Sequence, residues 1–350
     1  MKKILVVLTG GTIGSRVEGN VIDVKGKSPY LLLSMYGERY GREEFDVIQP
    51  LTILSENMTP DLLLILLKAL DGISYRDYDG VIVTHGSDTL SYSSAFAGLL
   101  FHHIPIPMIF VASNYPLGQK GSNGLDNFAG AVEFIRGRAI RGVFTLYRDQ
   151  KGISQVYLAT RIHEAEPVHD QFRDFSGMPL GRMENGSFLF YAEKSGFVRQ
   201  PSEDEVEANR ERQLKVPDSF SNKIMMIRPY PGMDYSLFQF TKENKPAAIL
   251  HYLYHSATAC LSDGEHGLLP FIGRCRELNI DIYTASYKRL EGNQYATGDA
   301  LLKAGVIPLL NISPEAAYAK LMLAYNGKGQ ADRELVKKNI YFECIESRNV

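Results

Sequence analysis

Two glycine-flanked motifs carry the chemistry that this chain can do. They are Thr9-Gly10-Gly11-Thr12-Ile13-Gly14 and His85-Gly86-Ser87-Asp88-Thr89. Thr12 and Ser87 each supply a hydroxyl nucleophile candidate. Gly86 lets the backbone approach a ligand closely, and the N–H groups that follow it can bind a carboxylate or an oxyanion. Asp88 can accept from an ammonium group or orient a proton relay. Simpler duties suit the same residues: Thr12 as the cap of a tight turn, Ser87 and Asp88 as the cap of a following helix. Capping and chemistry are compatible.

Each motif follows a short apolar run, residues 4–8 and 81–83, which reads as a buried strand. Both motifs therefore open at the carboxyl ends of strands, where an open parallel sheet binds its ligands. Two hydroxyls facing one crevice point to covalent hydrolysis. Nucleotide loops fit less well. The dinucleotide fingerprint Gly-x-Gly-x-x-Gly has the wrong spacing over residues 10–14, and a phosphate loop ending at Gly26-Lys27-Ser28 would need glycine at Val21. His163 and His169 do not have the His-Glu-x-x-His zinc spacing, and Pro167 interrupts any helix between them. No metal site is expected. His102-His103 reads as meeting a helix dipole, and Tyr252, Tyr254 and His255 as either pocket lining or packing.

The elements that must hold these motifs alternate. Residues 3–8, 46–52, 80–84, 107–112 and 139–147 read as strands, and 88–102 and 126–136 as helices. Another helix runs to residue 70 from Thr59-Pro60, a capping hydroxyl with proline at the first helical position. Such alternation implies an α/β fold with a parallel sheet covered on both faces. Residues 193–222 are charged and nearly free of large apolar side chains, as in an exposed linker with room for a surface helix. Alternation resumes with strands at 223–227, 247–253 and 280–284, a further segment at 236–241, and helices ending near 278 and starting at Gly298 and Pro314. The expected organisation is an N-terminal catalytic α/β domain over 1–192 with a mostly parallel sheet, a linker over 193–222, and a smaller parallel-sheet domain over 223–350. Residues 15–29 are polar, contain Gly19 and Gly26, and directly follow the first motif, the position of a lid.

Size and composition fit this reading. The 350 residues suit two domains, with 45% hydrophobic and 22% charged residues and a formal net charge of −2. That balance argues against a nucleic-acid partner. No segment approaches the roughly 18 apolar residues of a membrane helix, and the apolar run after Met1-Lys2-Lys3 is too short for a signal peptide. Cys260, Cys275 and Cys344 form neither a disulfide framework nor a zinc pattern, which points to a reducing cytoplasm.

Taken in order, these segments resemble the bacterial-type asparaginase/glutaminase family, in particular its cytoplasmic type I members. The marks are Thr-Gly-Gly-Thr-Ile-Gly at 9–14, Ser-Glu-Asn-Met-Thr-Pro at 55–60, Tyr78-Asp79-Gly80 through Thr89, Pro231-Gly232, Tyr295-Ala296-Thr297-Gly298, and Ala304-Gly305-Val306. The resemblance implies that Thr12 attacks a side-chain amide to form an acyl-enzyme. It implies further that Ser55 contacts the substrate α-carboxylate and that Asp88 binds the α-ammonium and belongs to the relay. Ser87 stands where the family usually has threonine. It also implies a small amino-acid-like substrate, no cofactor, and a homodimer or homotetramer.

Several positions depart from the family pattern. The relay lysine aligns with Arg161, and an arginine, with a pKa above about 12, cannot give up its proton. The lid tyrosine falls near Val21, leaving Tyr30 or Tyr36 as substitutes. Asn123-Gly124 replaces Asp-Gly, residues 255–258 replace a Gly- and Asn-containing loop, and Glu291 corresponds loosely to a rim glutamate. A positioned proton-transfer group is worth about 10²–10⁴ in rate, so two losses could leave binding without turnover. The expectation is an amidohydrolase of asparagine or a related carboxamide. Its rivals are a catalytically impaired amino-acid-binding or regulatory homologue, and a different amide- or acyl-transfer reaction.

Overall fold

A computed structural model describes residues 1–11, 13, 16–18, 21–23, 28–137, 140–191, 201–212, 214–287, 296–326 and 331–345. Thr12, Glu291 and Tyr295, each singled out above, lie outside these residues. The chain divides into two compact units, 1–216 with 340–342, and 217–339 with 343–346.

The first unit is built on an eight-stranded sheet. Its strands are β1 (Lys3–Leu8), β4 (Phe45–Ile48), β5 (Tyr78–Thr84), β6 (Pro107–Val111), β7 (Gly142–Arg148), β8 (Ser154–Leu158), β9 (Gly181–Glu184) and β10 (Ser187–Phe190), in the order β10-β9-β8-β7-β6-β5-β1-β4. The five strands from β4 to β7 are parallel, while β7, β8, β9 and β10 pair antiparallel. The sheet is therefore mixed, and strict alternation ends at β7. Residues 149–153 form a short turn that sends the chain straight back as β8, because Asp149 accepts from the Lys151 and Ile153 N–H groups. Between β1 and β4 lies a two-stranded antiparallel hairpin, β2 (Arg16–Glu18) with β3 (Val21–Asp23), so the polar segment after the first motif has regular structure of its own.

Continuous apolar runs in the middle strands reflect burial on both faces, as parallel sheets require. Residues 4–8 and 81–83 are at most 3% exposed. The helices of this unit are α1 (Ser28–Tyr40), α2 (Pro60–Asp71), α3 (Leu90–Phe101), α4 (Gly124–Arg136) and α5 (Glu203–Ala208). Thr59 caps α2 by accepting from the Leu62 N–H, with Pro60 in the first turn. The charged segment after residue 200 carries a short helix. A capping box joins Ser202 and Glu205 at the start of α5, Val206 is buried, and Glu207 accepts from the Arg141 N–H.

Residues 340–342 return to this unit. Tyr341 is fully buried. Its hydroxyl accepts from the Val143 N–H at 3.0 Å, its ring stacks on His102, and its carbonyl accepts from Thr160 Oγ1 at 2.6 Å. Gly98 and Gly142 leave the room that the ring occupies.

The second unit carries a four-stranded all-parallel sheet, β11 (Ile224–Ile227), β12 (Ala248–Tyr252), β13 (Asp281–Tyr287) and β14 (Ile307–Leu310), in sequence order. Its helices are α6 (Leu268–Glu277), α7 (Ala296–Lys303), α8 (Pro314–Ala324) and α9 (Arg333–Lys337). Ile249, Phe271, Ile282 and Leu301 centre its core. The Lys320–Glu343 ion pair, 2.7 Å long, is completely buried in this unit. Among the described residues, no helix is long and apolar enough to cross a membrane.

Candidate active site

Sheet order determines where the two motifs meet. Leaving β1, the chain first places β4 on one side of it and then β5 on the other. The crevice at such a reversal, beyond the carboxyl ends of the strands, is where open α/β sheets bind ligands. In the register of β1 with β5, Leu8 stands opposite Thr84, so both motifs begin at the same height. Thr9 Oγ1 donates to the Thr84 carbonyl at 2.9 Å and ties the two strand ends together.

The motifs touch backbone to backbone. A Cβ on Gly11 would stand 2.6 Å from the Gly86 nitrogen, and Gly11 has φ +75°, so glycine is required twice over. Gly10 meets Ile53 in the same way, and Gly11 N–H donates to the Ile53 carbonyl at 2.8 Å. That contact carries the loop after β4 into the site and delivers Ser55.

Ser55 is the hub of the described geometry. It is 3% exposed and opens a short 3₁₀ turn over Ser55–Asn57. Its Oγ donates to Asp88 Oδ2 at 2.9 Å and accepts from the Asp88 N–H at 3.3 Å. Its carbonyl accepts from Thr89 Oγ1 at 2.9 Å. A Cβ on Gly86 would stand 2.4 Å from Ser55 Oγ, so only glycine allows the two segments to close. Ser87 is half-buried and Asp88 exposed. The cluster therefore offers one fixed carboxylate, a buried hydroxyl that orients it, and close-packed backbone. Gly86, Ser87, Asp88 and Ser55 are brought together here; Gly11 leads directly to Thr12.

His85, for which the sequence alone suggests no role, lies beneath this cluster. It is fully buried, and its Nδ1 lies 2.8 Å from the Gly86 carbonyl oxygen. Burial pushes its imidazole down to about 4, so it is neutral at physiological pH. The available signal was its place between an apolar strand and a glycine.

Arg161 is engaged away from Asp88. It is 3% exposed, Nε donates to the Phe342 carbonyl, and its charge acts on the buried carboxyl of Asp174. Among the described residues, no ion pair joins Asp88 to a cation. Burial pushes Asp174 up to about 6, against the pull of Arg161. Asp174 was missed because it lies thirteen residues from Arg161 in an irregular segment.

Tyr36 belongs to the core rather than to a lid. It is 8% exposed and packs on Tyr40, Phe45 and Phe128, with ring centroids 5.3–5.6 Å away. The Val21 and Tyr30 side chains lie outside the described residues. Asn123 stands at the start of α4, where its side chain accepts from the Asn114 N–H and donates to the Arg148 carbonyl. In the second unit, residues 254–258 form a tight turn with Ala257 at φ +56°. Among the described residues, no cluster of three or more His, Cys, Asp or Glu side chains could hold a metal ion.

Residues 3–195 match the family model described as asparaginase, N-terminal. The chain is 29% identical over 336 residues to a glutamyl-tRNA(Gln) amidotransferase subunit of Thermoplasma volcanium, covering 95% of this chain and 78% of that protein. The corresponding amidotransferase subunit of Thermococcus kodakarensis is 25% identical, with 92% and 71% coverage. Among solved structures, the thermostable L-asparaginase of T. kodakarensis superposes with a TM-score of 0.79 at 23% identity, over 99% of this chain and all of that one. L-asparaginase I of Vibrio cholerae superposes with a TM-score of 0.73 at 22% identity, over 98% and 99%. At these identities the superpositions establish the fold.

Proposed function

The chain belongs to the asparaginase family, and from that premise we propose that it is an amidohydrolase that cleaves the side-chain amide of asparagine or a related carboxamide. Thr12 attacks the amide carbon, the carboxamide nitrogen leaves as ammonia, and water then releases the acid from the threonyl ester. Asp88, steadied by Ser55, receives the substrate's α-ammonium, and Ser87 with the backbone of Gly86 lines the reacting end. The reading rests on one observation: the two motifs touch at the switch point of the sheet, with Ser55 Oγ on Asp88 Oδ2. The chemistry calls for no cofactor. A homodimer or homotetramer in the cytoplasm completes the proposal.

Ammonia release from asparagine, glutamine and a panel of carboxamides, for wild type and Thr12→Ala, tests it. Wild type should turn over at least one of them, and the variant should lose about 10⁴-fold or more, the scale of a deleted nucleophile. Equal rates would refute Thr12 as the nucleophile.

A second reading is favoured by the similarity to amidotransferase subunits along 95% of the chain. The ammonia would then be consumed in an amide transfer by a partner protein. Weak turnover of free amides alone, rising when a co-purifying protein is added, would select it. Absence of turnover with tight L-aspartate binding would select a regulatory binding protein instead.

A further inference from the structure

His85 sits where it can aim a backbone donor. The oxygen that its Nδ1 meets at 2.8 Å belongs to the peptide joining Gly86 to Ser87. In a trans peptide the C=O and the following N–H point in opposite directions. A carbonyl drawn inward onto a fully buried ring therefore turns the Ser87 N–H outward, on the side of the crevice. Among the described residues, no group accepts a hydrogen bond from that N–H. The opposite side of the same residue is closed by Ser55, because the Gly86 Cα lies against the Ser55 side chain. The peptide is thus held from below by an imidazole and from one side by a serine.

We propose that His85 is a positioning residue, which as the Nδ1–H tautomer fixes the Gly86–Ser87 peptide so that the Ser87 N–H faces the oxyanion that forms when the amide carbon is attacked. This rests on the amidohydrolase reading given above. Only a protonated Nδ1 can donate to a carbonyl, and a neutral ring carries one proton. Nε2 is therefore the bare nitrogen, and it is buried without a partner among the described residues. The ring neither touches the substrate nor exchanges protons during the reaction.

Two variants and one spectrum test this. His85→Leu removes the donor, whereas His85→Asn keeps an N–H near the position of Nδ1. Misaiming one oxyanion donor costs about 10²–10³ in kcat. His85→Leu should therefore lose about 10²-fold in kcat with KM within about twofold, and His85→Asn should recover at least tenfold of that loss. Melting curves for both variants separate this from unfolding. In ¹⁵N-histidine spectra of the wild-type protein, one ring should show a protonated Nδ1 and a bare Nε2, unchanged from pH 5.5 to 8.5. That resonance should vanish in His85→Asn. Equal losses in the two folded variants, or a His85→Leu kcat within threefold of wild type, would overturn the proposal. So would an Nε2–H tautomer at His85, and this reading requires no activity. A wild type inert towards every amide would instead refute the amidohydrolase reading, leaving the tautomer to decide the role of His85.

Discussion

Gly86→Ala measures how tightly the crevice is built. The added Cβ would lie 2.5 Å from Ser55 Cβ and 2.4 Å from Ser55 Oγ. Carbon atoms in contact sit about 3.5–4.0 Å apart, so the serine must retreat by about 1 Å. Its Oγ now lies 2.9 Å from Asp88 Oδ2, and that retreat takes it out of hydrogen-bond reach. A bond to a charged group contributes about 1.5–3 kcal/mol. Asp88 left unsteadied should then bind an amino-acid head about 10- to 150-fold more weakly, at 1.4 kcal/mol per tenfold. Overpacking costs a further 1–3 kcal/mol or so of stability, readable as a lower melting temperature. Calorimetric titration with L-aspartate gives the affinity, with Ser55→Ala as the comparator. Because both substitutions break one contact, their effects should not add in the double variant. Full aspartate affinity in Gly86→Ala, or additive losses, would refute the account of Ser55 as the brace of Asp88.

Other perturbations follow from buried charge. Burial holds Asp174 at about 6 against an ordinary 3.8, so the native state keeps a proton that the unfolded chain gives up between those values. Its contribution to stability therefore falls as pH rises from about 4 to 6, by about 3 kcal/mol in total. Urea melts of wild type and Asp174→Asn should show the difference between them move in favour of the variant by that amount between pH 4 and 7; a constant difference would contradict it. His251, held near 4 by burial, acts in the opposite sense, its contribution being lost as pH falls from about 6.5 to 4. His251→Phe should flatten the acid limb of the stability profile, and an unchanged limb would exclude His251 as its source. Lys320→Met or Glu343→Gln alone should cost about 3–5 kcal/mol by stranding a buried charge, whereas Lys320→Met with Glu343→Leu should recover much of it. If the double variant is no more stable than the singles, the pair is not the seat of the loss.

Much of the scaffold was legible because burial writes itself into composition. Residues 4–8 could be nothing but a strand buried on both faces, and Thr59-Pro60 marked the start of α2 directly. Three strands of the all-parallel second sheet were equally plain in the strand–helix alternation, whereas β14, a four-residue strand between α7 and α8, was not. Antiparallel β8, β9 and β10 did not figure in that alternation, although Arg182-Met183-Glu184 alternates and Asn185-Gly186, both at positive φ, is a hairpin signal. The hairpin β2–β3 was hidden by its polarity. Ser55, Gly86 and Asp88 were recognised as residues, but their contact depends on the β1–β5 register and on how the loop after β4 folds over Gly10. Arg161 was aligned with the relay lysine, and its attachment to Phe342 spans 181 positions. Distances of that kind leave no local trace. Tyr36, considered for a lid, is drawn into an aromatic cluster by partners at Phe45 and Phe128 that no spacing announces.

The return of Tyr341 bears on how this protein can be made. A ring that occupies the space between Gly98 and Gly142 comes from 198 positions beyond Val143, whose N–H it accepts from. Until it arrives, the larger unit has an unfilled slot beside Val143 and an unsatisfied Thr160. Contacts of such sequence separation are slow to form, and exposed apolar surface in the interval invites aggregation. A fragment ending near residue 216 would carry both motifs and every strand of the large sheet and still lack its keystone. Supplying residues 340–342 in trans, as a peptide, would be the direct way to show that the gap is real.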